Sequence, residues 1–215
     1  MKSSQIGVLA LQGDFAEHIQ KLESLGCHTR EVRRTKDLEN LDGLIIPGGE
    51  STVNALLADA ASKFRTAETD KISIFDAIAE LGQQDFPIWG TCMGSILLAK
   101  EIEGSSQGRI GLMNITVRRN AFGPQRESSE IRLLIPVLGD KPFPGIFIRA
   151  PLFTKADKKV EVLCKLKEGF VMAKERNLLV TAFHPEISND DRVHRYFLKL
   201  VAANYLLTMN RSVAP

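Results

Sequence analysis

Three cysteines, Cys27, Cys92 and Cys164, are too few and too far apart to form a disulfide framework. Their odd number fits reduced thiols and leads us to expect a cytoplasmic protein. Histidine is also scarce: there are four, with no His or Cys spacing suited to zinc, so no metal and no bound cofactor is expected. Neither sign of charge dominates, because 28 Lys and Arg face 26 Asp and Glu. Arg33-Arg34 and Arg118-Arg119 are pairs rather than a basic patch, which argues against a nucleic-acid partner. No apolar run reaches spanning length, so no membrane partner is expected. Met1-Lys2-Ser3-Ser4-Gln5 leads straight into a strand-like run without the pattern of a signal peptide. Linkers, repeats and low-complexity tracts are missing as well. The 215 residues, 44% hydrophobic and 25% charged, are ordinary for one α/β domain with a real core, expected to span residues 1–215.

The chain contains short apolar runs separated by helical stripes. Ile6-Gly7-Val8-Leu9-Ala10-Leu11 reads as a strand buried on both faces. Gln12-Gly13-Asp14 breaks it and caps a helix whose apolar face is Phe15, Ile19, Leu22 and Leu25. Strands follow near 28–33 and 44–47, then a polar loop over 59–71. A second helical stripe is Ile74, Phe75, Ile78 and Leu81. This alternation predicts a parallel sheet with right-handed crossovers, a three-layer α/β/α fold of flavodoxin-like type. After residue 114 the pattern changes to short strands at 115–118, 131–135, 145–148, 160–163 and 170–173, predicting a mixed or antiparallel extension of the mostly parallel sheet. The last helix should face inward with Val193, Phe197, Leu200 and Val201. Cys27 and Cys164 lie in or beside strand-like segments and read as core residues or bystanders.

Three segments point to chemistry. Gly90-Thr91-Cys92-Met93-Gly94 lies between the apolar Phe86-Pro87-Ile88-Trp89 and a helical run over Ile96-Leu97-Leu98-Ala99-Lys100. A Gly-x-Cys-x-Gly there has the form of a nucleophile elbow, which lifts a side chain above the sheet at a helix N-terminus, where a thiolate is favoured. It also fits a buried cysteine in an ordinary turn. The apolar run from Leu178 ends in Phe183-His184-Pro185-Glu186. Pro185 makes the residue before it extended, so His184 and Glu186 would project to one side and a carboxylate would orient an imidazole. The bland alternative is a His at a strand end and a Glu opening the last helix. Leu44-Ile45-Ile46-Pro47-Gly48-Gly49-Glu50 ends in a glycine pair whose N–H groups could meet a developing oxyanion, although Pro-Gly-Gly is also a common turn. Ser51 and Thr52 are N-cap candidates for a helix over 53–58. In open α/β sheets ligands sit beyond the carboxyl ends of the strands. Gln12, Gly48-Gly49, Cys92 and His184 all follow such ends.

With these residues in place the chain resembles the class I, triad-type glutamine amidotransferases, and among them the glutaminases that serve pyridoxal 5′-phosphate synthesis. The resemblance covers nearly the whole chain. It rests on Gly7-Val8-Leu9-Ala10-Leu11-Gln12-Gly13, Pro47-Gly48-Gly49-Glu50-Ser51-Thr52, the Cys92 elbow, Arg119-Asn120-Ala121-Phe122-Gly123, Phe147-Ile148-Arg149-Ala150-Pro151 and Phe183-His184-Pro185-Glu186. It implies hydrolysis of L-glutamine to glutamate and ammonia through a γ-glutamyl thioester on Cys92, with His184 and Glu186 completing a triad. It implies a glutamine site of Gly48, Gly49, Glu50, Arg119, Ile148 and Arg149, and an oxyanion hole at Gly48, Gly49 and Met93. From the residues alone, Arg119 and Arg149 read as surface positions. The resemblance also implies a partner, a (β/α)₈-barrel pyridoxal 5′-phosphate synthase subunit in a large hetero-oligomer that receives the ammonia. The chain departs from the family pattern at Met93, Ser95, Pro124 and Ser129, all outside the triad. Two other readings share the scaffold: a docking subunit with little turnover, and an elbow-Cys hydrolase that acts alone.

Overall fold

The computed structural model describes residues 4–49, 72–122 and 128–212. Glu50, the Ser51 and Thr52 caps, the helix over 53–58, the loop over 59–71, and Gly123, Pro124 and Glu127 lie outside the described residues. The first half of the chain runs β1 (Gln5–Leu9), α1 (Phe15–Ser24), β2 (His28–Val32), β3 (Gly43–Ile46), α2 (Ile74–Gln83), β4 (Ile88–Thr91), α3 (Met93–Leu98) and β5 (Ala99–Ile102). The second half runs β6 (Met113–Arg118), β7 (Ser129–Leu133), β8 (Phe143–Phe147), β9 (Leu152–Ala156), β10 (Glu161–Leu166), β11 (Gly169–Glu175), β12 (Leu178–Thr181) and α4 (Arg192–Ser212).

The strands whose sequences carry no polar face become the centre of the sheet. Its order is β2-β1-β3-β4-β12-β11-β9-β6-β5, with β10 paired to β11. The first five strands are parallel throughout, in the doubly wound order expected of a flavodoxin-like sheet. Ile45, Ile88, Trp89 and Val180 in this block are wholly buried. Helices cover both of its faces. Trp89 makes edge contacts with His18 of α1 and His194 of α4. The neighbouring Ile88 points the other way, and its Cδ1 lies 3.3 Å from where a β-carbon on Gly82 of α2 would sit.

Beyond β12 the pairing turns antiparallel through β11, β9 and β6, and β5 returns parallel to β6. The offset in this region places its loops. Thr181, the last residue of β12, pairs with Met172 of β11. The contact with β9 comes further out, through Phe170 and Phe153. Thus β9 and β6 rise past the carboxyl edge of the parallel block. Their near ends, where Arg118 pairs with Leu152, come down beside that edge.

Two expectations need correction, and one strand was missed. The helical run after the elbow stops at Leu98, and Ala99–Ile102 is strand β5. All six residues of α3 are buried, leaving it no solvent face, and the distant β6 offers Ala99 and Ile102 a ladder that local periodicity does not reveal. Strand β9 was not foreseen, since Leu152-Phe153-Thr154-Lys155 lacks clear alternation and owes its conformation to β6 and β11. The segments near 131–135 and 145–148 do not extend the main sheet. As β7 and β8 they form a separate two-stranded ribbon. Its inner residues Phe143 and Phe147 pack on Phe183, just before His184.

Candidate active site

The elbow is built by steric necessity. Cys92 sits between β4 and α3 at φ 45° and ψ −104°, a conformation that costs a non-glycine residue of order 1–3 kcal/mol. What holds it there is close backbone contact. A β-carbon on Gly94 would lie 1.9 Å from the carbonyl oxygen of Ile46, and one on Gly90 would lie 2.6 Å from the Gly94 carbonyl. The Cys92 N–H donates to Thr181 O at 2.8 Å, which ties the elbow to β12. The Ser95 hydroxyl donates to Cys92 O at 2.5 Å and satisfies the carbonyl on the far side of the turn. The Cys92 side chain is buried, and its thiol faces the Ile148 carbonyl at 3.8 Å.

His184 reaches the same place from the end of β12. Its N–H donates to Ile146 O of the β7–β8 ribbon at 2.8 Å. His184, at φ −104° and ψ 85°, is not in the extended conformation expected before Pro185, and Glu186 does not meet it by extended geometry. Pro185–Ile187 is a 3₁₀ turn that folds the carboxylate back onto the ring, and the last helix opens only at Arg192. The imidazole Nδ1 lies 2.6 Å from Glu186 Oε1 and 3.2 Å from Asp14 Oδ2. Burial works against the imidazolium here. Hydrogen bonds to Asp14, Cys92 and Glu186 outweigh it, and the His184 pKa is pushed up to about 12. With Nδ1 taken by carboxylates, the buried Nε2 has no conventional partner and Cys92 is the thiol that interacts with the ring. His184 also holds the Asp14 carboxyl below the usual range, against its partial burial.

Asp14, His184 and Glu186 present ligand atoms within 4.8 Å of one another, the one such cluster among the described residues. These atoms already bond to each other, so a cation placed among them would displace the hydrogen bonds that orient the imidazole.

Two glycine loops close the site from the β1 and β3 side. A β-carbon on Gly48 would lie 2.5 Å from His184 Cε1 and 2.8 Å from Asp14 Oδ2, so the imidazole lies directly against this loop. A β-carbon on Gly13 would lie 1.8 Å from Gly48 O, and Gly13 has φ +93°. Gly49 lies against the Gln12 amide. Met93 is buried at the first position of α3.

The structure therefore brings Cys92, His184, Glu186, Gly48 and Ile148 together. Arg119 lies on the turn after β6 and donates to Gln107 Oε1 at 2.9 Å. Arg149 is exposed, with φ 44°. The loops carrying the two arginines are joined by the Ala121 N–H to Ala150 O bond at 3.2 Å, and through Ile148 they reach the Cys92 thiol. Sequence reasoning missed Asp14 as a site residue. It was read as a helix cap, but its side chain makes no cap bond and turns to His184. It also missed His18, Thr91 and His194, all wholly buried behind His184 and Glu186. The only signal was position: His18 precedes Ile19 on the stripe of α1, and His194 follows Val193 on α4.

The SNO glutamine amidotransferase family model matches residues 8–203. A Moorella thermoacetica protein named pyridoxal 5′-phosphate synthase subunit PdxT is 47% identical over 198 residues, covering 92% of this chain and 99% of its own. A Dehalococcoides mccartyi protein of the same name is 50% identical over 199 residues, covering 91% of this chain and 96% of its own. A solved structure described as a glutamine amidotransferase superposes with a TM-score of 0.81 at 43% identity, covering 92% of this chain and 98% of that one.

Proposed function

Because the chain belongs to the SNO glutamine amidotransferase family, we propose that Cys92, His184 and Glu186 are the triad with which it hydrolyses glutamine. The protein is a glutaminase: it releases glutamate and ammonia, and the ammonia supplies pyridoxal 5′-phosphate synthesis. The observation that supports the assignment best is the 2.6 Å bond from His184 Nδ1 to Glu186 Oε1 beside a cysteine held on a strained elbow.

The Cys92 sulfur attacks the side-chain amide carbon of glutamine. The carbonyl oxygen takes up negative charge, which backbone N–H groups of Gly48, Gly49 and Met93 stabilise. His184 gives its proton to the leaving nitrogen, the C–N bond breaks, and a γ-glutamyl thioester remains with free ammonia. Water then attacks the thioester, His184 accepts its proton, and glutamate leaves as the thiol is restored. Glu186 keeps the ring in one orientation through both steps. Arg119 and Arg149 grip the α-carboxylate of glutamine, with Gly48, Gly49, Glu50 and Ile148 completing its pocket. One glutaminase domain over residues 1–215 carries all of these groups.

Ammonia is nucleophilic only when neutral, so it has to pass to its acceptor without equilibrating with water. The partner is the pyridoxal 5′-phosphate synthase subunit, a (β/α)₈ barrel, joined with this chain in a large cytoplasmic hetero-oligomer. The Gly48–Gly49 peptide, held between Gln12, Gly13 and His184, is the element that docking would reset.

Glutamate release is measured with and without the synthase subunit, for the wild type and for Cys92→Ala. The reading expects turnover that depends on the partner and disappears in Cys92→Ala. Stable complex formation without turnover would overturn it in favour of a docking subunit silenced at the elbow.

A further inference from the structure

We propose that His18 and His194 form a neutral, buried histidine pair that holds the far oxygen of Glu186, and that both are positioning residues for the triad. The inference rests on the glutaminase reading for its catalytic consequence, but not for its geometry. Glu186 uses Oε1 on His184. Oε2 is sealed from solvent and has no close hydrogen bond of its own. The one imidazole facing it is that of His18, with Nε2 at 3.4 Å. The same Nε2 lies 3.2 Å from Thr91 Oγ1, on the residue before Cys92. His18 Nε2 thus stands between the strand end that carries Cys92, which it meets at hydrogen-bond distance through Thr91, and the Glu186 carboxylate, which it faces at 3.4 Å without forming a conventional hydrogen bond in this conformation.

The hydrogen-bond directions follow from chemistry. His18 is completely buried and its pKa falls to about 3, mainly through desolvation, with the Glu186 carboxylate only partly opposing. His194 falls to about 3 for the same reason, with Lys21 adding to the effect. Both rings are therefore neutral, each with one donor and one acceptor nitrogen. A carboxylate oxygen accepts only, so the Glu186 side of His18 has to be the donor, and Nε2 carries the hydrogen. His18 Nδ1 is then an acceptor, and His194 Nε2, 3.1 Å away, donates to it. The opposite assignment would aim a lone pair at a buried carboxylate and leave the buried His194 Nδ1 as a donor with nothing to bond. Trp89 fixes both rings by edge contacts at centroid distances of 5.4 and 4.8 Å and is itself anchored by donation to Thr181 Oγ1. The groups facing Glu186 are His184 after β12 and His18 and Lys21 on α1, with Asp14 sharing the His184 ring.

The pair thus places a neutral N–H facing, at 3.4 Å, an anion whose far oxygen has no other imidazole near it, at no cost of a second buried charge. Without it the carboxylate is held less firmly and stabilises the imidazolium less.

The test compares His18→Gln, whose amide N–H can stand at the Nε2 position, with His18→Asn, whose shorter amide cannot reach Glu186. Turnover is measured in complex with the synthase subunit. We expect His18→Asn to lower kcat about 10- to 100-fold with KM within about twofold, by analogy with loss of an outer hydrogen-bond partner, and His18→Gln to retain most activity. Imidazole ¹⁵N NMR of the wild-type chain should show His18 and His194 neutral and protonated on Nε2 near neutral pH. In His18→Asn, His184 should release its proton at a lower pH than in the wild type. Equal damage in the Gln and Asn variants, or a His18 ring protonated on Nδ1, would overturn the proposal. If the wild type shows no partner-dependent turnover, the glutaminase reading fails instead, and the NMR tautomers still decide for or against the pair.

Discussion

The parallel block and the antiparallel extension bury the same kinds of residue equally well, yet they do different work. Ile45 and Val180 in the first are as inaccessible as Phe153 and Met172 in the second. Direction separates them. In the block every strand ends at the same edge, so the residues following β1, β3, β4 and β12 (Asp14, Gly48, Cys92 and His184) meet within a few ångströms. In the extension neighbouring strands run in opposite directions and their loops scatter to both ends. Among the described residues of the extension, the ends of β6, β8 and β9 approach this edge, carrying Arg119, Ile148 and Arg149. In the proposed function the block carries the chemistry at the base of the site, and the extension forms its wall. Clustered catalytic groups are what a parallel edge provides without long loops.

If that division holds, substitutions in the two regions should separate activity from stability. The largest effect is expected from Glu186→Gln, which keeps the size of a buried side chain but removes the carboxylate on His184 Nδ1. Turnover should fall by up to about 10⁴-fold while the thermal midpoint stays near that of the wild type. Steady-state kinetics alongside calorimetry gives both quantities. Phe153→Ala should do the reverse. Phe153 is wholly buried and packs against Phe170 with ring centroids 5.4 Å apart and planes tilted by 56°, so its loss should cost about 3–5 kcal/mol by denaturant unfolding while kcat of the folded protein changes little. A large fall in kcat at temperatures where this variant is folded would mean that the wall and the chemical base are one unit.

The smallest effect tests the edge of the block. Asp14→Asn removes the second carboxylate on Nδ1, at 3.2 Å, but the Asp14 side chain is 41% exposed and the interaction is screened. Turnover should fall no more than about fivefold, the scale of a partly exposed ion pair. The sign of the pH effect is set by His184. Asp14 raises its pKa, so Asp14→Asn should let the ring lose its proton at a lower pH than in the wild type. Imidazole ¹⁵N shifts across the alkaline range would follow this. An unchanged titration would show that Asp14 is a structural contact without electrostatic influence on the ring, and a shift to higher pH would reverse the sign assigned to it.

The parts of the site that were legible in sequence share a physical reason. Gly90, Cys92 and Gly94 lie within five residues because a tight strand-to-helix turn at a nucleophile excludes side chains on either flank, and the contact of Gly94 with Ile46 is that exclusion made concrete. His184 and Glu186 are likewise local, although the turn that joins them is 3₁₀ rather than extended. Asp14 was visible only as a cap, because a short acidic residue before a helix has that meaning far more often. His18 and His194 are 176 positions apart, and nothing in either helix alone indicates that they touch. Strand β9 and the switch from α3 to β5 escaped for the same reason, since a ladder with a distant partner overrides the local pattern.

Residues close along the chain specify the alternation of apolar strands and amphipathic helices, the parallel block, and the two motifs proposed to supply nucleophile and base. Each is written in contacts between residues close along the chain, where backbone geometry and side-chain size act directly. Tertiary structure alone decided that β7 and β8 leave the main sheet, that the extension is offset so its ends descend beside Cys92, and that Asp14 and His18 close on His184 and Glu186. Those outcomes depend on which buried faces and polar groups meet across the sheet. A buried carboxylate has to find its partners wherever the fold brings them, and Glu186 has His184 after β12 against one oxygen and His18 of α1, backed by His194 of α4, facing the other.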